Sequence, residues 1–99
     1  RGITTAYQNV YIGSNCGTTG NGLSNVGIGD QCFETGAHGN NNVGVGWSVG
    51  EDFTGTQSTF IGGEAARQAT SADRCTALGY NAMGEGVTTG EGKYYYNWF

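Results

Sequence analysis

Eight carboxylates, one histidine and three cysteines carry the principal acid–base, metal-ligating and thiol chemistry of this 99-residue chain. The carboxylates are Asp30, Glu34, Glu51, Asp52, Glu64, Asp73, Glu85 and Glu91. A glycosidase needs two of them flanking a cleft at about 5–9.5 Å. His38 is the only histidine and falls in a loop stretch, so no Ser-His-Asp or Cys-His constellation can be argued around it. The expected place of His38 is a solvent-exposed loop. Cys16, Cys32 and Cys75 are an odd number at spacings unlike a zinc motif. Gly27-Ile28-Gly29-Asp30 matches the glycine-rich calcium repeats only superficially, since those need many copies. The expectation is no catalytic residue, no metal, no cofactor and no enzyme.

Aromatic side chains offer binding chemistry instead. Trp47, Tyr80, Tyr94, Tyr95, Tyr96 and Trp98 are the candidate receptor-binding residues. An aromatic face stacks on the apolar face of a sugar ring, and the same rings also suit an intersubunit axis or the cap of a stack. Three loop stretches, 18–23, 35–41 and 51–57, are rich in Gly, Asn and Thr. Loops on a rigid scaffold often carry recognition.

The composition limits what can position these residues. There are 20 Gly, 0 Pro and 12% charged residues. Gly at about three times its usual share suits a backbone that turns often. Aromatic content of 12%, with regularly placed Val and Ile, argues for a folded chain. The net charge of −4 and the scattered Arg1, Arg67, Arg74 and Lys93 exclude a nucleic-acid footprint and an anionic membrane surface. No stretch is apolar and long enough to span a bilayer. The chain opens on Arg1 and stops in the run Tyr94-Tyr95-Tyr96-Asn97-Trp98-Phe99, and both ends read as cuts within a longer protein.

A repeat supplies the organisation. Asn9-Val10-Tyr11-Ile12-Gly13, Asn25-Val26-Gly27-Ile28-Gly29, Asn42-Val43-Gly44-Val45-Gly46, Ser58-Thr59-Phe60-Ile61-Gly62 and Cys75-Thr76-Ala77-Leu78-Gly79 share one pattern. Their final glycines fall at 13, 29, 46, 62 and 79, so the steps alternate between 16 and 17 residues. Apolar residues two apart have the period of a strand. Each coil is therefore read as a strand, a tight turn, a second short strand and a polar return loop. Stacked about 4.8 Å apart, such coils place like residues in ladders. Ile12, Ile28, Val45, Ile61 and Leu78, with Val10, Val26, Val43, Thr59 and Thr76 beside them, are the expected core ladders. Tyr11, Phe60, Trp47 and Tyr80 are expected to point outward. Cys16, Cys32, Val49, Ala65 and Ala82, three residues past each anchor glycine, are expected inside, with Cys16 and Cys32 as buried thiols. Asn9, Asn25 and Asn42 are expected to stack as an amide ladder. The anchor glycines are expected at positive φ or at a close backbone approach. The stretch 63–72 tolerates helix, but its repeat register assigns it to the fourth coil.

A core this thin and this Gly-rich is weak for one copy, and association around an axis would bury the outward rings. Thr76-Ala77-Leu78-Gly79-Tyr80-Asn81-Ala82-Met83 and Asn25-Val26-Gly27-Ile28-Gly29 resemble the repeats of phage tail fibres. They are also similar to head repeats of trimeric autotransporter adhesins of the YadA type. The resemblance covers roughly residues 9–83. It implies an all-β, left-handed parallel β-roll, here of about five coils, in an intertwined or side-by-side homotrimer. It implies attachment to a host cell surface through a glycan or a surface protein, other fibre segments as partners, and a place on the virion. A structural spacer or collar, and a bacterial adhesin head, are the alternatives. The long return loops, and Tyr11 and Phe60 between the apolar positions, depart from the adhesin repeat and favour the phage fibre. The expected layout is a leading segment or incomplete coil over 1–8, repeats over 9–92 and an aromatic cap or junction over 93–99.

Overall fold

The computed structural model describes residues 3–6, 8–18, 22–35, 38–69, 71–83, 89–91 and 94–96. Among these there is no helix, and 63–69 runs as turns, as its register predicts. The strands are β1 (Ile3–Ala6), β2 (Asn9–Ile12), β3 (Val26–Ile28), β4 (Val43–Val45), β5 (Thr59–Ile61), β6 (Ser71–Asp73), β7 (Thr76–Leu78), β8 (Thr89–Glu91) and β9 (Tyr94–Tyr96). The main sheet has the order β1-β2-β3-β4-β5-β7-β9, and β6 pairs with β8 in a second sheet. From β2 onward every neighbour in the main sheet is parallel, while β1 folds back antiparallel on β2. The register is that of the repeat: Val10, Val26, Val43, Thr59 and Thr76 align, as do Ile12, Ile28, Val45, Ile61 and Leu78. The protein is a parallel β-solenoid of about four turns between the five repeat strands.

Each anchor glycine is dictated by two constraints at once. Gly13, Gly29, Gly46, Gly62 and Gly79 have φ between 115° and 136°, a region that residues with a Cβ rarely enter. A Cβ on Gly29 would lie 2.2 Å from the Gly46 carbonyl oxygen. Successive coils touch backbone to backbone at this corner.

The stretch after each anchor is not the second strand expected. Asn15, Gln31, Ser48, Glu64 and Asn81 have φ between 57° and 63°, and so, two residues on, do Gly17, Phe33, Gly50, Ala66 and Met83 at 53–64°. This left-handed alternation excludes an extended strand. Coils are nevertheless bonded here, for example Gln31 N to Ser14 O at 2.9 Å and Phe33 N to Val49 O at 2.9 Å. None of the non-glycine residues held at positive φ is β-branched, in keeping with the steric cost of that combination.

The asparagine ladder forms by a route other than side-chain stacking. Asn9 Oδ1 accepts from Asn25 N, Asn25 Oδ1 from Asn42 N and Asn42 Oδ1 from Ser58 N, at 2.8–2.9 Å. Ser58 Oγ continues the chain by accepting from Cys75 N at 3.1 Å. The amide nitrogens turn the other way and donate to Gly22 O, Gly39 O and Gly55 O. Each side chain thus joins the next coil's strand entry to the return loop, which closes the coil.

The core lies on the opposite face of the strands from the one expected. Tyr11 and Phe60 are buried, at 6% and 0% exposure, while Ile28, Ile61 and Leu78 are 39%, 42% and 51% exposed. Tyr11, Gly27, Gly44, Phe60 and Ala77 point inward, and the Val/Ile ladders point out. The physical reason is compensation between neighbouring rungs. A Cβ on Gly17 would meet the Tyr11 ring, and one on Gly27, Gly44 or Gly50 would meet the Phe33 ring. The Tyr11 and Phe33 rings fill the space that glycines leave on the same or neighbouring rungs. Cys16, Cys32, Val49, Ala65 and Ala82 are buried as expected, and all three cysteines are free thiols. A hydrogen bond with the Cys16 thiol, and then burial, push the Cys32 thiol up.

An aromatic column fills the interior. His38 stacks on Phe33 with ring centres 4.8 Å apart, and Phe53 meets Phe60 edge to face at 4.9 Å. His38 is therefore a buried residue of the return loop and not a solvent-exposed one. Its Nε2 lies 2.6 Å from the Tyr11 hydroxyl. Burial pushes the Tyr11 phenol up to about 12. Below pH 10 Tyr11 is protonated in both folded and unfolded states. Between pH 10 and 12 only the unfolded phenol ionises, so stability falls as pH rises, by about 3 kcal/mol from this group. Urea unfolding at pH 9, 10, 11 and 12 is expected to show a shallower decline for Tyr11→Phe than for the parent. Parallel declines would refute the assignment.

Candidate functional site

Two surfaces stand out once the coil is closed. The first is the outer face of the main sheet. Strand alternation sends Val10, Val26, Val43, Thr59 and Thr76 to half-buried positions. Beside them Ile12, Ile28, Ile61 and Leu78 are exposed, and Val45 is half-buried. The strand β9 continues this ladder by register, with Tyr94 opposite Thr76 and Tyr96 opposite Leu78. From β2 to β7 the result is a double row of side chains, a half-buried Val/Thr row beside a largely exposed Ile/Val/Leu row.

The second surface is the corner just past the anchor glycines. Ser14, Asp30, Trp47, Gly63 and Tyr80 share one register. The stacking is fixed by backbone bonds, including Ser48 N to Asp30 O, Glu64 N to Trp47 O and Asn81 N to Gly63 O at 2.7–2.8 Å. Trp47 is 48% exposed and Tyr80 is 64% exposed. Between them sits Gly63, and the Tyr80 ring lies 3.4–3.7 Å from where a Gly63 Cβ would be. The ring thus leans across the empty position toward the Trp47 rung.

Polar groups line the same edge. Glu51 and Arg67 occupy neighbouring rungs, and Arg67 Nε donates to Glu51 Oε1 at 3.0 Å. Ser48 Oγ donates to the same oxygen at 2.9 Å. Arg67 also pairs with Glu64 at 3.7 Å. A hydrogen bond to Glu64 raises the Tyr80 phenol above its ordinary range. Glu51 Oε1 thus faces a hydroxyl and a guanidinium together. Asp52 accepts from Thr35 Oγ1, and Asp73 accepts from Thr56 N and Oγ1 at 2.9 and 3.1 Å. Among the described residues no three His, Cys, Asp or Glu side chains converge.

The structure therefore brings two of the six candidate residues, Trp47 and Tyr80, to one edge. Tyr94, Tyr95 and Tyr96 form β9, with side chains outside the described set, and Trp98 lies outside the described residues. Glu64, Arg67 and Gly63 were missed as neighbours of the aromatic pair. The signal was present in the repeat, because counting one and two residues past successive anchors aligns Trp47, Gly63 and Tyr80 and sets Glu64 beside them. Among the described residues no helix is long and apolar enough to cross a membrane. No family model, no curated protein and no solved structure matches the chain.

Proposed function

We propose that this chain is a module of a trimeric attachment fibre. In this reading three copies of a left-handed roll surround one axis with their Val/Ile faces inward, and the corners and loops face a host cell surface. The observation that carries it is the exposed double ladder of Ile12, Ile28, Ile61 and Leu78 with its Val/Thr neighbours. Contiguous apolar surface of this kind marks an interaction site in soluble proteins. A straight ladder repeating at each rung is matched best by another ladder of the same pitch, which a second copy of the chain supplies. Rotational symmetry then closes the assembly without leaving an open face. The resemblance of the repeats to phage tail fibres supports a virion location, and the aromatic corner supports a glycan or surface protein as receptor. The regularity of the ladders also favours the spacer or collar reading, in which recognition lies in other fibre segments.

Light scattering after size exclusion tests the assembly. The expected mass is three times the 10.3 kDa of one chain. Ile28→Lys combined with Ile61→Lys places charges on the ladder and is expected to yield a folded monomer, since a buried like-charge ring costs several kcal/mol. A parent chain that is a folded monomer at micromolar concentration overturns the trimer.

A further inference from the structure

We propose that the corner formed by Trp47, Gly63 and Tyr80 is a saccharide-binding platform for a neutral, hexose-type oligosaccharide. The proposal rests on the attachment reading and names its ligand class. A pyranose presents an apolar C–H face and a rim of hydroxyls, so it needs an aromatic face beside groups that both donate and accept hydrogen bonds. Trp47 and Tyr80 supply the faces. Both are large aromatics left exposed, Trp47 by nearly half and Tyr80 by more, whereas Phe33, Phe53 and Phe60 are fully buried.

The rim is built from neighbouring rungs. Glu64 lies two residues past the fourth anchor glycine, next to Gly63, and its carboxylate engages both Tyr80 and Arg67. Glu51 Oε1 accepts from Arg67 Nε and from Ser48 Oγ. The guanidinium supplies N–H donors and the carboxylates supply acceptors, which is the mixture a set of hydroxyls requires. The two aromatic rungs are separated by one intervening rung, roughly 10 Å at the spacing of stacked strands. That span exceeds one sugar ring and suits an oligosaccharide. Gly63, with no side chain, leaves the space over which the Tyr80 ring lies toward the Trp47 rung.

Charge selects among sugars. Glu51, Glu64 and Arg67 together carry one net negative charge, Asp30 is exposed in the same corner register, and the chain carries −4 overall. Sialylated or uronic saccharides are therefore repelled, and neutral ones are not.

The test is an array carrying neutral hexose oligosaccharides beside sialylated and uronic ones, probed with the labelled 99-residue chain. Binding is expected on neutral sugars alone. Trp47→Ala and Tyr80→Ala are each expected to weaken it about tenfold, the upper end of one aromatic contact. Trp47→Phe retains a face and is expected to rescue most of the loss. Light scattering on the same variants is expected to give the parent mass. The proposal is overturned by an array without neutral binders, by alanine variants that bind like the parent, or by a change of mass showing that the rings serve the subunit contact. Binding of the chain to intact bacteria separates the two levels. Cell binding with a blank array removes the saccharide platform and leaves attachment standing, whereas failure on both removes both.

Discussion

Gly29→Ala is expected to abolish cooperative folding or to leave the stack barely stable. The new Cβ would sit 2.2 Å from the Gly46 carbonyl oxygen and 2.8 Å from its carbon. The coils cannot separate to relieve this, because Gly29 N bonds Ile12 O at 2.8 Å and Gly46 N bonds Ile28 O at 2.9 Å. The residue also stands at φ 131°, where a side chain is strained in any setting. Backbone strain of roughly 1–3 kcal/mol and overpacking of roughly 1–3 kcal/mol combine to about 2–6 kcal/mol. A domain of this size has roughly 5–15 kcal/mol in all. Gly63→Ala is the matched control. Gly63 is not held at positive φ, and its nearest contact would be an ordinary 3.4 Å, so the expected cost is within about 0.5 kcal/mol. Urea denaturation of both proteins distinguishes them, and equal midpoints would refute the backbone-contact account of the anchor glycines.

Asn42→Ala carries the second large effect. Asn42 Oδ1 accepts from Ser58 N at 2.9 Å and its Nδ2 donates to Gly55 O at 3.1 Å, both in buried surroundings. Alanine leaves the buried Ser58 N–H without its acceptor and removes one of two bonds to Gly55 O, which keeps the bond from Gly39 N at 2.9 Å. The unpaired donor costs about 1–3 kcal/mol and the lost bond to Gly55 O about 0.5–1.5 kcal/mol, about 1.5–4.5 kcal/mol together. Asn42→Ser is expected to recover part of this. Ser58 stands at the same position one coil later and already serves as acceptor for Cys75 N. The order of stability, parent above Ser above Ala, is the expected result from denaturant midpoints. Serine and alanine variants of equal stability would show that the side-chain oxygen contributes nothing to the stacking of coils.

Both effects bear on the candidate sites. The corner that presents Trp47 and Tyr80 follows directly on Gly46 and Gly79, so the anchor contact sets the pitch between the rings. The asparagine chain fixes the strand entries, which hold the Val/Ile rows in register. Loss of either would disorganise the two surfaces together, whereas substitution of Trp47, Tyr80, Ile28 or Ile61 changes a surface on an intact scaffold.

The amino-acid sequence by itself determined the repeat, its 16- and 17-residue steps, the parallel register and, among the described residues, the absence of helix. These are properties of spacing, and spacing survives stacking unchanged. It also determined the glycine corner and the inward Cys16, Cys32, Val49, Ala65 and Ala82. It did not determine which face of each strand is the core. A period of two assigns Val10 and Ile12 to one side and Tyr11 to the other, but the alternation is the same for either choice. Uniform Val/Ile rows were read as interior and the variable Tyr11, Gly27, Gly44, Phe60 and Ala77 as exterior. The tertiary structure reverses this, because an interior tolerates variety when a ring on one rung is matched by a glycine on the next, as Phe33 is by Gly27, Gly44 and Gly50. Only the closed coil could show that His38 and Phe53, in loops that read as polar, are fully enclosed. Their burial depends on contacts with residues of other coils, such as Tyr11 and Phe60. The neighbours of Trp47 and Tyr80 were likewise decided by stacking, which brings Gly63, Glu64 and Arg67 to their side from a coil that lies between them in the chain.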